Sequence, residues 1–281
     1  MPTHTIGTAT RGRMLEYEFM RNAFAAAAVV ALVAGTVGYF LVLRGQTFAG
    51  HALAHVGFTG ATGAVLVGLA PLWGMVLMTV AAGIAMGMLG ERLTQRDVAV
   101  GLVLALSLGF GLLFLHFYTS FAAQATALLF GNVLAVDAST VWMLSGLGIV
   151  SLAALGAISR PLLFSSLQPE LAEAKGVSLR LYAVLFLAVV ALATAECAQI
   201  VGVLLVFTLM VGPAAAAQRV TGSMGRGIVL SAILALAEAW GGIALAYQTD
   251  WPVSFWITAL SGIVYLLAAS LPWATLSGRS A

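Results

Sequence analysis

The sequence predicts an all-α polytopic membrane protein of about nine (eight to nine) transmembrane helices, and two observations carry that prediction. Of the 281 residues, 62% are hydrophobic and only 8% are charged, whereas a soluble domain carries about 25% charged residues. The charges also fall in clusters, leaving the stretches 22–43, 45–90, 98–136, 138–159, 181–195, 197–218, 239–249 and 251–278 without Asp, Glu, Lys or Arg. A helix crosses the hydrocarbon with roughly 20 apolar residues. Period-two alternation is absent, which excludes barrel strands.

The elements follow in order. Residues 1–21 form an N-terminal segment, in which 13–21 suit a short helix along the interface, and too little apolar sequence precedes position 22 for a cleaved leader. The first span is 22–43. The stretch 45–90 is too long for one helix and breaks at Pro71-Leu72-Trp73-Gly74, giving spans at 55–70 and 74–90. Spans at 98–118 and 139–159 enclose an interfacial segment, 120–133. The rest lie at 181–198, 200–217, 227–247 and 253–272; without a true boundary at Gln199-Ile200-Val201-Gly202 the total is eight. No repeat, linker or soluble unit interrupts them, so residues 1–281 read as a single transmembrane domain.

Arg44, Arg92, Arg96, Arg160, Lys175, Arg180, Arg219, Arg226 and Arg279 all fall on one side of this topology. That side is cytoplasmic by the positive-inside rule. Nine spans put the N-terminus outside, where Arg11, Arg13 and Arg21 run against the rule.

The composition also excludes functions. A formal net charge of +2 supplies no basic stripe for phosphates, so no nucleic-acid partner is expected. The single cysteine, Cys197, rules out an internal disulfide. The single lysine, Lys175, has no Gly-x-x-x-x-Gly before it; without a phosphate loop the chain does not hydrolyse ATP by itself.

Ionisable groups inside spans are costly in lipid and are therefore candidates for function. His51 and His55 stand at i and i+4, on one helix face, a spacing that lets two imidazoles share one transition-metal ion. A zinc peptidase would need a glutamate where Ala52 stands. The competing reading has both histidines capping backbone groups near a helix start. Glu196 flanks the Gln199–Gly202 break, and Glu238 sits mid-span with 11 uncharged residues on each side. Glu238 suits a pathway carboxylate, a histidine partner or a protonated link between helices. His116, Asp137 and Asp250 belong to outer helix ends and loops.

On the cytoplasmic side, residues 168–176 read as a short capped helix: Pro169 opens it, Glu170 and Glu173 suit its positive end, and Gly176 closes it. Leu171, Ala172 and Ala174 fill its turns.

Four stretches in this order resemble the permease subunit of zinc/manganese-type ATP-binding-cassette metal-ion importers. They are Leu43-Arg44 with Gly50-His51-Ala52-Leu53-Ala54-His55, then Leu129–Val136, then Gln168–Gly176, and finally Gln199–Val206 running to Pro213-Ala214-Ala215-Ala216. The resemblance spans about residues 20–270 and implies a fold similar to the vitamin B12 importer's membrane subunit lacking its first helix. It further implies a homodimeric pore in the cytoplasmic (inner) membrane of a bacterium. Two cytoplasmic ATP-binding subunits would dock on the 168–176 coupling helix, and an extracytoplasmic metal-binding protein would deliver the ion. No cofactor of its own is implied; the divalent metal, zinc or manganese, is cargo. The family usually carries Asp where His51 stands, and an all-imidazole pair is the softer set, which favours zinc over manganese or iron. Glu238 matches no family role and is a candidate replacement carboxylate.

Two alternatives remain at this stage. A permease for a metal chelate or haem would not need the two histidines. An intramembrane hydrolase could use Ser145 or Ser261, each followed by glycine, but would need His116 or another base within reach.

Overall fold

The computed structural model describes residues 14–89, 93–117, 129–131 and 133–271. Among them the regular structure is helical. The nine long helices are α1 (Glu18–Leu43), α2 (Thr47–Leu66), α3 (Pro71–Leu89), α4 (Leu93–His116), α5 (Ala138–Leu167), α7 (Leu179–Val201), α8 (Val206–Val220), α9 (Met224–Thr249) and α10 (Val253–Ser270). The short α6 (Pro169–Ala174) lies between α5 and α7. Connections of a few residues join α1 to α2, α2 to α3, α7 to α8, α8 to α9 and α9 to α10, and such short links make helix neighbours antiparallel.

Seven of the nine are long and apolar enough to cross a membrane; α2 and α8 are not among them. Helix α8 has 15 residues, and α2 carries two histidines and three threonines among its 20. Both are packed inside the bundle instead. Helices α1 and α7 form its centre, with most of their residues buried. By contrast α4, α5 and α10 expose Leu102, Leu112, Ile149, Leu266 and similar side chains, a surface that only lipid or another apolar partner can cover.

Close packing rests on glycine. A Cβ on Gly83 would meet the Leu187 carbonyl oxygen at 2.6 Å, and one on Gly35 would meet the Ala232 Cα at 2.7 Å. Gly60 and Gly74 face each other across α2 and α3. Such small faces let backbones approach where no hydrophobic force drives helices together.

Hydrogen bonds tie the predicted cytoplasmic ends to one another. Arg180 Nη2 on α7 donates to Met88 O on α3 at 3.3 Å, and Arg219 on α8 lies over Tyr265 on α10. At the opposite end Trp240 Nε1 on α9 donates to Phe24 O on α1 at 3.1 Å.

Several boundaries differ from those read in the sequence. Helix α1 begins at Glu18, after a single 3-10 turn at Met14–Glu16, so residues 18–21 belong to the first span rather than to a separate interfacial helix. Helix α2 starts at Thr47 instead of 55, because Arg44 and Gly45 (φ +62°) complete the turn within three residues. Helix α4 already runs from Leu93, through the charged Arg96 and Asp97. Helix α5 continues past Arg160 and Pro161 to Leu167 as one helix. The later break falls at 202–205, not 199–202, since Gly202 supplies the left-handed φ of +87° that ends α7. Of the interfacial segment 120–133, only 129–131 and 133 are described; Arg11, Arg13, Arg92, Asn132 and Arg279 also lie outside the described residues.

At the outer end of α5, Asp137 is an N-cap: its Oδ1 accepts from Thr140 N at 2.9 Å and its Oδ2 from Ser139 Oγ at 2.8 Å. These bonds, Thr140's first, lower its carboxyl from 3.8 to about 2. A depressed carboxyl contributes its stability above the unfolded value and loses it as pH falls through the folded one. The cap is therefore expected to persist at mildly acidic pH and to be lost near pH 2. The Asp137 carboxyl-carbon resonance in detergent follows this directly, and a midpoint at 3.8 or above would show that the bonds add nothing.

Candidate metal site on α2

The histidines lie on the first three turns of α2, about 6 and 12 Å along its axis from Thr47 at 1.5 Å per residue. Since α2 begins three residues after Arg44, the pair sits in the half of the bundle that the positive-inside rule assigns to the cytoplasm. The other faces of α2 explain why these rings are free of packing duty. Gly50 closes on Leu41 of α1, and Gly57 on Thr79 and Met75 of α3. Thr59 Oγ1 donates to Ser107 O of α4 at 2.6 Å.

His51 and His55 are half-buried, with ring centroids 4.8 Å apart and planes at 84°. His51 also meets Phe207 of α8 edge to face at 5.5 Å. The rings meet each other and Phe207, and the N-cap position of α2 is Gln46, with no side-chain cap bond. Two imidazoles this close can turn toward one ion at the 2.0–2.1 Å typical of zinc. They supply two ligands, and four to six are needed. Phe207 was not legible as a neighbour, because nothing in the sequence shows that α2 and α8 meet.

Glu238 is not brought to this pair. It lies on α9, which packs against α1, α8 and α10, whereas α2 packs mainly against α3, α4 and α7 and meets α8 through His51 and Phe207. Among the described residues no group of three His, Cys, Asp or Glu side chains gathers to hold a metal. Within one chain the idea that Glu238 replaces the missing carboxylate therefore finds no geometric support. Glu238 is 2% exposed, and among the described residues its carboxylate finds no polar neighbour beyond the Ser261 hydroxyl of α10. Glu196 is fully buried on α7 with no hydrogen-bond partner among the described residues, its Oε1 lying 3.0 Å from where a Cβ on Gly148 would stand. Cys197 beside it is fully buried. Ser151 and Gln46 are two more buried polar side chains without partners among the described residues, and nothing in the sequence pointed to either because neither is ionisable.

His116 is exposed at the end of α4, edge to face with Phe117. Ser145 and Ser261 each donate to a helix carbonyl, Val141 O at 2.8 Å and Thr208 O at 3.4 Å.

A short helix stands where residues 168–176 were expected to form one: α6, Pro169–Ala174. Pro169 is its first residue, and Lys175 and Gly176 (φ +81°) close it. Ala172 is fully buried and anchors it, while Pro169, Glu170, Leu171, Glu173, Ala174 and Gly176 face outward.

Comparison with known proteins bears on the family and the fold. A family model described as the ABC 3 transport family matches residues 16–271. The manganese import system permease protein ScaB of Streptococcus parasanguinis is 28% identical over 254 residues, covering 90% of each chain. The manganese transport system membrane protein MntC of Halalkalibacterium halodurans is 27% identical, covering 91% of this chain and 88% of its own. Among solved structures, PsaBC from Streptococcus pneumoniae in complex with Fab aligns with a TM-score of 0.82 at 26% identity, covering 92% of this chain and 94% of that one. An inward-facing metal-chelate type ABC transporter aligns with a TM-score of 0.68 at 14% identity, covering 92% and 87%, which shows the shared fold.

Proposed function

Because the chain belongs to the ABC 3 transport family, we propose that it imports a divalent transition-metal ion, manganese, by alternating access through a homodimeric pore. It is a multi-pass protein of the bacterial cytoplasmic membrane and a permease subunit of an ATP-binding-cassette metal importer. The observation that supports the pore reading is the histidine pair on α2. That helix lies inside the bundle and is not apolar enough to span by itself. A two-fold axis repeats any residue it brings near. Two copies would place four imidazoles about one path and so complete the ligand set that one chain leaves at two. Binding there must stay weak enough for release.

Manganese is supported by the printed names of the relatives. Zinc is the second reading, favoured by His51, since paired imidazoles are a softer set than imidazole with carboxylate. Uptake of radioactive manganese and zinc into cells lacking their own copy, complemented by this chain, decides between them. Manganese entry with zinc as a weak competitor supports the first reading; zinc entry alone overturns it. If neither enters while haem or a metal chelate does, the substrate reading fails and the chelate permease takes its place.

An extracytoplasmic metal-binding protein would deliver the ion, and two cytoplasmic ATP-binding subunits would drive the switch from α6. Leu171, 46% exposed between Glu170 and Glu173, is the apolar contact that α6 offers. Leu171→Asp is expected to lower the amount of ATP-binding subunit recovered with the permease about tenfold, as for an interface anchor. Unchanged recovery in a pull-down would remove α6 as the docking element.

A further inference from the structure

One side chain ties the turn before α2 to the base of α6. Arg44, the C-cap of α1, donates from Nη1 to Leu162 O at 3.3 Å and also to Ser166 Oγ. Ser166 Oγ donates in turn to Leu162 O at 2.5 Å, closing the set. The guanidinium lies 5.3 Å from the ring centroid of Phe186, a fully buried residue of α7. Arginine suits this place because its planar fork donates in its own plane while stacking on an aromatic face; the lysine ammonium can do only part of this.

Each end of the link leads to a functional element. Leu162 and Ser166 occupy the last turns of α5, and α6 begins at Pro169, three residues beyond Ser166. Pro161, immediately before Leu162, has no N–H, so the α5 ladder lacks a rung there. The cytoplasmic end of α5 is thus the segment that can move with α6 relative to the rest of the rod. On the other side, α2 starts three residues after Arg44, and His51 and His55 follow within its first three turns. The intervening turn is stiff: Arg44 N donates to Phe40 O, Gly45 N to Val42 O and Gln46 N to Leu41 O, each at 3.0 Å.

We infer that Arg44 is the positioning residue through which displacement of α6 reaches the histidine pair, linking the Leu162–Ser166 end of α5 to the head of α2. The inference rests on the reading of the chain as a metal permease. A push on α6 moves Leu162 and Ser166, the guanidinium follows them, and the stiff turn delivers the motion to α2. Arg44 touches no ion in this scheme. It serves the conformational switch and not the affinity of the resting site.

The test is uptake of manganese ions alone by cells that assemble the whole transporter, with the permease and its ATP-binding subunit quantified in purified membranes. Arg44→Met is expected to lower maximal uptake about tenfold, with KM within about twofold of wild type, because only the switch is impaired. Both subunits should be recovered in wild-type amounts. Arg44→Lys should restore part of the maximal rate, and Ser166→Ala should lower it by a smaller factor without moving KM. Unchanged maximal uptake in Arg44→Met overturns the inference, as does a raised KM at unchanged maximal rate. Should Arg44→Met fail to accumulate, Ser166→Ala decides, and an unchanged rate in it is a refutation. Full recovery by Arg44→Lys would reduce Arg44 to a topology-setting charge. Wild-type cells that take up no manganese would refute the permease reading itself, a result separable from all of these.

Discussion

Replacing His51 and His55 together by alanine is expected to abolish metal uptake while the protein still accumulates and inserts. The expectation rests on what the two rings do not do. Helix α2 is held by Gly50 on Leu41, Gly57 on Thr79, Gly60 on Gly74 and Thr59 on Ser107 O, and none of these contacts involves an imidazole. Among the described residues the aromatic contacts of the two rings are their mutual one and the edge of Phe207, together about 1–3 kcal/mol by the usual worth of aromatic pairs. On the proposed pore reading, transport loses both ligands that α2 would offer. Either single substitution should cost nearly as much as the pair, since groups that act as a unit are not additive. Tracer uptake, normalised to permease in the membrane by immunoblot, measures the effect. Normal uptake in the double variant would remove the α2 site and leave the family membership untouched.

A comparably large effect, on stability, is expected from Gly202→Ala. Gly202 ends α7 with φ +87° and ψ 153°, a conformation that is essentially glycine's own and costs other residues about 1–3 kcal/mol. Space is lacking as well, because an added Cβ would lie 2.6 Å from Leu129 O, with the Gly131 backbone closer still. Those neighbours are backbone and cannot rotate aside, so overpacking adds roughly another 1–3 kcal/mol. The break would then lose its fit to residues 129–131, where Leu204 N donates to Leu129 O at 3.2 Å. A drop of several degrees in the unfolding midpoint in detergent is the expected result. Gly146→Ala, on α5 with nothing within 4 Å, is the matched control and should be neutral or slightly stabilising. Equal midpoints for the two variants would show that the 202–205 break relaxes freely.

The number of long helices was legible because lipid leaves so few options: an uncharged run of about 20 residues must be a helix, and each cluster of Arg must end one. The same logic misplaced ends wherever a charge or a proline lies within a helix. Arg160 and Pro161 read as a terminus, yet α5 carries them to Leu167, because its last turns are packed as well, with Leu162 and Ser165 buried. His51 and His55 were visible by their spacing, and α6 by Pro169 and Gly176, since these signals are local. What surrounds the histidines was not visible. Phe207 reaches His51 from a helix about 150 residues later, and no periodicity within either helix encodes that meeting. Nor did the sequence show that Glu238 stands on a helix packed away from α2, or that Arg44, read only as a topological charge, bonds to α5.

The burial of Cys197 has a practical consequence. It is the single thiol in 281 residues and is fully buried, so an aqueous maleimide applied to the native chain finds no sulfur to alkylate. A cysteine introduced at an exposed position such as Ser223 or Trp251 would then be the unique site of labelling, with no background to engineer away. Paired spin or fluorescence labels at those two positions would report the cytoplasmic and outer ends of the bundle separately. The opening and closing of each mouth through a transport cycle could be followed on a chain otherwise unaltered.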